Sequence, residues 1–155
     1  MVAEGDKAPD FELPMESGET LKLSHLKGKP VVVYFYPKDD TSGCTAEAKD
    51  FSRLAPQFRK VGVEVIGVSP DSVASHQKFH RKYDLAVRLA ADADKSVATA
   101  YGVWVEKSMY GRKYMGVERS TFLIDGRGRI AKGWRKVKVP GHAEEVLVAA
   151  KALAK

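Results

Sequence analysis

The chain carries one cysteine, Cys44, within the run YFYPKDDTSGCTAEAK, and its surroundings decide what a lone sulfur can do. Taken alone, such a residue is a small buried hydrophobe. Here a hydroxyl, Thr41, stands just before it. The composition passes from turn formers over Lys38 to Gly43 into helix formers from Cys44 onward. The sulfur therefore belongs at or near the first turn of a helix, where backbone N–H groups lack partners and together carry about half a positive charge. A thiolate is favoured there, and the thiolate is the form that acts as a nucleophile.

Two elements must aim that sulfur. Val31 to Tyr36 is β-branched or aromatic throughout, without helical periodicity, which predicts a strand buried on both faces and ended by Pro37. In the helix that follows, Cys44, Ala48, Phe51, Ala55 and Phe58 step by four and three along one face. Cys44 thus continues the apolar stripe, at the mouth of the core. Pro56 is expected to kink this helix or to begin a second segment.

At these residues the chain resembles the peroxiredoxins, most closely the bacterioferritin comigratory protein (peroxiredoxin Q) group. The resemblance rests on Pro37, Thr41 and Cys44 in the pattern P-x-x-x-T-x-x-C, on Arg119 to Asp125 (RSTFLID), and on Trp134 to Glu145 (WRKVKVPGHAEE). It implies a thioredoxin-like α/β fold, with a central mixed sheet flanked by helices and an N-terminal hairpin extension. It further implies a thiol-dependent peroxidase acting on hydrogen peroxide and organic hydroperoxides, with no cofactor.

The same resemblance assigns roles. Thr41 would accept from and donate to the peroxide, alongside backbone N–H groups near Gly43 and Cys44. Arg119 would hold thiolate and peroxide oxygens with its planar fork. Pro37 would pack over the site, and Glu47, one turn after Cys44, would orient Arg119. Each has a plain alternative: Thr41 as a helix cap, Pro37 as a strand terminator, Arg119 as a surface charge, Glu47 as an exposed helical acid, Tyr36 as core.

Sulfur activation alone cannot make a fast peroxidase. Lowering a thiol from a pKa of about 8.5 to about 6 raises the thiolate fraction at pH 7 roughly thirtyfold. Nucleophilicity falls with pKa along a slope of about 0.4 to 0.5, which removes roughly thirteenfold and leaves about a factor of two. The larger part must come from donors arranged around the breaking O–O bond.

Relatives often carry a second, resolving cysteine. This chain has Lys49 five residues after Cys44, and His80 at the other position such a cysteine takes; Ser42 stands where proline is common. A sulfenic acid at Cys44 then has no internal thiol to condense with, so recycling falls to an external thiol such as thioredoxin, glutaredoxin or glutathione, or to a second subunit. Absence of C-x-x-C argues against a dithiol–disulfide reductase. The competing activities are a single-cysteine thiol transferase and a redox-sensing or holdase-like interaction module.

Four histidines complete the chemical inventory, and His76 and His80 share a helix face at a spacing able to hold zinc, although no third ligand follows in a recognisable pattern. His142 matches the PGHAEE segment at the start of the last helix.

The remaining sequence fits one domain over residues 1–155, long enough to bury a core without disulfides or metal. Twenty-six basic residues against 20 acidic ones give a formal charge of +6, but they are spread along the chain, which predicts a solvated basic surface and no nucleic-acid site. The N-terminal residues lack a signal pattern and no apolar run approaches a membrane span, so a cytoplasmic monomer is expected.

The other elements are read as follows. A short strand lies near Asp6 to Leu13, a hairpin over Ser17 to Leu23, and a helical turn at Ser24 to Lys27. Val63 to Val68 is a second buried strand, and Ser69 and Asp71 are the start signals of a helix through Tyr83. A strand near Val87 to Ala90 and a helix from Lys95 to Tyr101 come next. Tyr101 to Glu118 reads as a long surface loop or ragged hairpin. Thr121 to Ile124 and Arg129 to Arg135 form an antiparallel pair, and His142 to Lys155 is the terminal helix, with Lys151 and Lys155 in its last turn.

Overall fold

The structure is a computed structural model that describes residues 2–154. A two-stranded antiparallel hairpin, β1 (Glu12–Pro14) with β2 (Thr20–Lys22), leads through a short 3-10 turn to β3 (Val31–Phe35). Then come α1 (Ser42–Lys60), β4 (Glu64–Ser69), α2 (Val73–Lys82), β5 (Arg88–Ala91) and α3 (Ser96–Ala100). A hairpin of β6 (Trp104–Met109) and β7 (Arg112–Val117), the strands β8 (Ser120–Ile124) and β9 (Ile130–Trp134), and α4 (His142–Leu153) complete the chain.

Five strands form one mixed sheet in the order β5-β4-β3-β8-β9. β3 sits at its centre, parallel to β4 and antiparallel to β8, which is why all five of its residues are buried. Its alternation assigns each side chain to a layer. Val31, Val33 and Phe35 join a cluster with the N-terminal hairpin and α3, while Val32, Tyr34 and Tyr36 face Cys44, Phe51, Phe58 and the residues of α2 and α4 on the other side. The mixed sheet with flanking helices and an N-terminal hairpin is the arrangement expected.

The expected stripe of α1 is buried at every position from Cys44 to Phe58. Pro56 starts no second segment: α1 continues through it to Lys60. Ring closure removes one backbone donor, but Phe51 and Phe58 flank the position with 0% exposure, and fully burying such side chains stabilises the helix by about 1.5–3 kcal/mol each.

Two boundaries differ from expectation for local reasons. α2 starts at Val73 because Ser72, not Ser69 or Asp71, caps it by accepting from the Ser75 N–H at 3.1 Å. Tyr101 to Glu118 is neither loop nor ragged: β6 and β7 pair in unbroken register from Trp104 opposite Val117 to Met109 opposite Arg112. Tyr110 and Gly111 turn the chain with φ of 52° and 77°, the left-handed pair that a two-residue hairpin requires. Most residues on both faces of this hairpin are solvent-exposed, so charge hides the alternation that marks a half-buried strand. Lys155, expected in the last turn of α4, lies outside the described residues.

Candidate active site

Cys44 is the third residue of α1 and is 2% exposed, at the carboxyl end of the central strand. Five residues, Pro37 to Thr41, separate Tyr36 from the helix. Thr41 occupies the N-cap position in an extended conformation, yet its side chain makes no capping bond. Its hydroxyl instead donates to the Lys38 carbonyl at 2.8 Å. That commits the proton and leaves the oxygen's lone pairs open, so Thr41 is set to accept from a ligand; the expected second role, donation, is taken by the loop. Pro37 directly follows Tyr36 and is half-buried.

Arg119 lies between β7 and β8, and its side chain is only 17% exposed. Nη2 donates to the Cys44 sulfur at 3.3 Å and Nη1 to Glu47 Oε1 at 2.6 Å. One planar group thus joins the sulfur to a carboxylate through two nitrogens held in a fixed fork, a geometry that an ammonium does not impose. The approach needs Gly43, where an added β-carbon would stand 3.2 Å from Nη2.

Glu47 is not an exposed helical acid. It is 1% exposed, and its Oε2 is buried without a partner. Burial pushes its carboxyl up to about 7 against the opposing pull of Arg119. The guanidinium is held protonated by Glu47 and Cys44 in turn, despite the cost of its own burial.

Two of the four histidines have structural roles. His76 is fully buried; its Nδ1 lies 2.7 Å from Asp39 Oδ2 and its Nε2 3.0 Å from the Ala90 carbonyl. Both ring nitrogens are thereby engaged, which removes the lone pair that a zinc ligand with His80 would need. His142 Nε2 meets Thr121 Oγ1 at 2.8 Å, and burial lowers its basicity. Tyr36 is core at 1% exposure, and its hydroxyl donates to Asp39 at 2.6 Å.

Sequence reasoning passed over Asp39, His76 as its partner, and the spatial role of Gly43. Asp39 looked like one more turn former. The available signal was two adjacent acids in the short loop between a buried strand and a helix. Across the same loop, Tyr83 of α2 donates to Asp40 at 2.5 Å, and the ammonium groups of Lys49 and Lys82 lie 5.1 and 5.3 Å from its ring centre. Lys49 therefore fills the space between α1 and α2.

Residues 4–132 match the AhpC/TSA family. The chain is similar to a putative peroxiredoxin Bcp of Coxiella burnetii, at 54% identity over 92% of this chain and 95% of the relative. It is 52% identical to peroxiredoxin Bcp of Bacillus subtilis, over 92% of this chain and 91% of that one. Among solved structures, the bacterioferritin comigratory protein of Xanthomonas campestris, described for alkyl peroxide reduction activity, superposes with a TM-score of 0.90 and 46% identity, covering 94% of this chain and 92% of that one. A PrxQ mutant of Xylella fastidiosa gives 0.94 and 42%, over 100% and 99%. The thioredoxin-like fold expected from the sequence holds.

Proposed function

Because this chain belongs to the AhpC/TSA family, among its Bcp peroxiredoxins, we propose that Cys44 is the peroxidatic sulfur of a thiol-dependent peroxidase. The observation that carries the reading is Arg119, which touches the sulfur with one nitrogen and a buried carboxylate with the other.

The reaction balances as follows. The Cys44 thiolate attacks one oxygen of the peroxide, a sulfur–oxygen bond forms, and the O–O bond breaks. The departing oxygen takes the electron pair and a proton from solvent and leaves as water or an alcohol, and Cys44, keeping the attacked oxygen and its proton, becomes a sulfenic acid. Arg119 Nη2, beside the sulfur, donates to the oxygens as charge moves from sulfur to the leaving group. Thr41 Oγ1 accepts a hydrogen bond from the peroxide and orients the O–O axis, since its own proton is spent on Lys38. First-turn N–H groups near Gly43 and Cys44 complete the donor set, and Pro37 keeps water from the sulfur. Glu47 fixes the plane of Arg119.

The 155 residues hold no second cysteine. An external thiol therefore condenses with the sulfenic acid, releasing water and forming a mixed disulfide, and a second thiol frees Cys44. Thioredoxin, glutaredoxin and glutathione fit that requirement. Among the described residues no helix is long and apolar enough to cross a membrane; we assign the protein to a reducing cytoplasm, as a monomer.

Emission from Trp104 and Trp134, recorded in stopped flow after adding peroxide, tests the reading. Stoichiometric peroxide is expected to oxidise Cys44 within seconds, with sulfenic acid trapped and weighed by mass spectrometry. Arg119→Ala is expected to slow the step by about 10²–10³, the range for loss of one charge-stabilising donor, and Arg119→Lys to fall between. Oxidation of the native protein no faster than that of free cysteine would remove the reading.

A further inference from the structure

The mechanism above leaves one buried ionisable pair unused. Asp39, in the loop that delivers Thr41 and Cys44, has a side chain only 4% exposed, and His76 on α2 is fully buried. The Asp39 carboxylate accepts from Tyr36 Oη at 2.6 Å, from Ser75 Oγ at 2.8 Å and from His76 Nδ1 at 2.7 Å. Burial first, then the neighbouring Tyr34 and Asp39, push the Tyr36 hydroxyl well up, so it remains a donor. His76 Nε2 faces a carbonyl, which can only accept, and Nδ1 faces a carboxylate already taking two O–H donors. Both ring nitrogens are therefore engaged, and the contact closes a buried polar network of Tyr36, Asp39, Ser75 and His76.

The backbone is tied as well. Asp39 N–H donates to Asp71 Oδ2 at 2.8 Å, and Ser69 Oγ donates to the same oxygen at 2.6 Å. On the outer side Asp40, left-handed at φ 59°, is held by Lys82 at 2.7 Å and by Tyr83. Two consecutive loop residues are thus gripped by α2 from inside and outside. A buried polar network is a costly way to hold a fold together, and an apolar replacement is often as stable. What the pair supplies is position: Asp39 lies two residues before Thr41 and five before Cys44.

We propose that Asp39 and His76 are positioning residues for peroxide reduction, fixing the Pro37–Thr41 loop so that the Thr41 oxygen and the first-turn amides of α1 face the O–O bond together. The inference rests on the peroxidase reading. Its consequence is selective. A loosened loop leaves Arg119 and the helix N-terminus beside the sulfur, so the sulfur keeps its donors, but the second half of the peroxide cradle moves.

The experiment compares two reactions of Cys44 in each variant, oxidation by hydrogen peroxide and alkylation by iodoacetamide, at one pH and corrected for the folded fraction by circular dichroism. Asp39→Asn and His76→Gln are expected to lower the peroxide rate at least tenfold while alkylation changes less than twofold. Ser75→Ala, which removes one donor from Asp39 and keeps the pair, is expected to lower the peroxide rate about threefold on a fully folded protein, and it decides the matter if the other two do not fold. Parallel falls in both rates, or no change in the peroxide rate, would overturn the inference. A native protein whose peroxide rate matches that of free cysteine removes the peroxidase reading itself, a result visible before any variant is made.

Discussion

Gly43 leaves the space into which the Arg119 guanidinium fits: a β-carbon at position 43 would stand 3.2 Å from Nη2. That nitrogen is the one 3.3 Å from the Cys44 sulfur. The glycine lies in the first turn of α1, where alanine would favour the helix by up to about 1 kcal/mol. Stability and chemistry therefore pull in opposite directions at this position.

Gly43→Ala separates them. The substitution is expected to leave urea stability equal or slightly raised and to slow Cys44 oxidation by peroxide about tenfold, because the methyl group displaces the fork from the sulfur. Chemical denaturation and stopped-flow fluorescence on the same sample check both halves. A stable variant with native kinetics would show that the fork tolerates displacement.

Glu47 makes stability depend on pH in a direction unusual for a carboxyl. Its native value is raised to about 7 from an ordinary 4.5, chiefly by burial, with Arg119 opposing and Asp50 adding to the rise. Between these two values the folded protein binds the proton that the unfolded chain has released. Its contribution to folding is then fully favourable below about pH 4.5 and is lost as pH rises towards 7, by about 3 kcal/mol from a shift of that size. Glu47→Gln cannot titrate. Urea melts from pH 5 to pH 8 are expected to show the native protein losing stability relative to Glu47→Gln as pH rises; parallel curves would mean that Arg119 holds the carboxylate charged throughout.

Pro56 sits inside α1, where proline costs a helix about 3 kcal/mol relative to alanine. Part of that is offset because proline also restricts the unfolded chain. Pro56→Ala is expected to raise stability by about 1–2 kcal/mol in thermal or urea melts without altering the peroxide rate. A fall in stability would mean that the ring's packing, and not the missing N–H, dominates there.

The strand Val31–Phe35, the helix phase from Cys44 to Phe58 and the βαβ step to β4 were legible because burial on one or both faces writes itself into residue type. The pairing of Cys44 with Arg119 was legible only through resemblance, since no local pattern links residues that far apart. Glu47 was harder: an acid on a helix reads as solvent-facing unless its partner is known. Asp39 and His76 stayed hidden for the same reason, each unremarkable until the other is placed beside it. The β6–β7 hairpin was legible only as a loop or a ragged hairpin because its Tyr110–Gly111 turn lacks the usual asparagine or aspartate, and exposure of both faces erases the alternation.

Lys49 and Tyr83 occupy the gap between α1 and α2 with a cation resting on a ring. Among the described residues no second thiol stands in that gap to condense with an oxidised sulfur, so the waiting time between capture and reset is a second-order quantity. It shortens as thiol in the surrounding fluid becomes plentiful and lengthens as thiol runs short. The fraction of molecules caught in the oxidised form at any instant therefore rises with oxidant and falls with reductant around them.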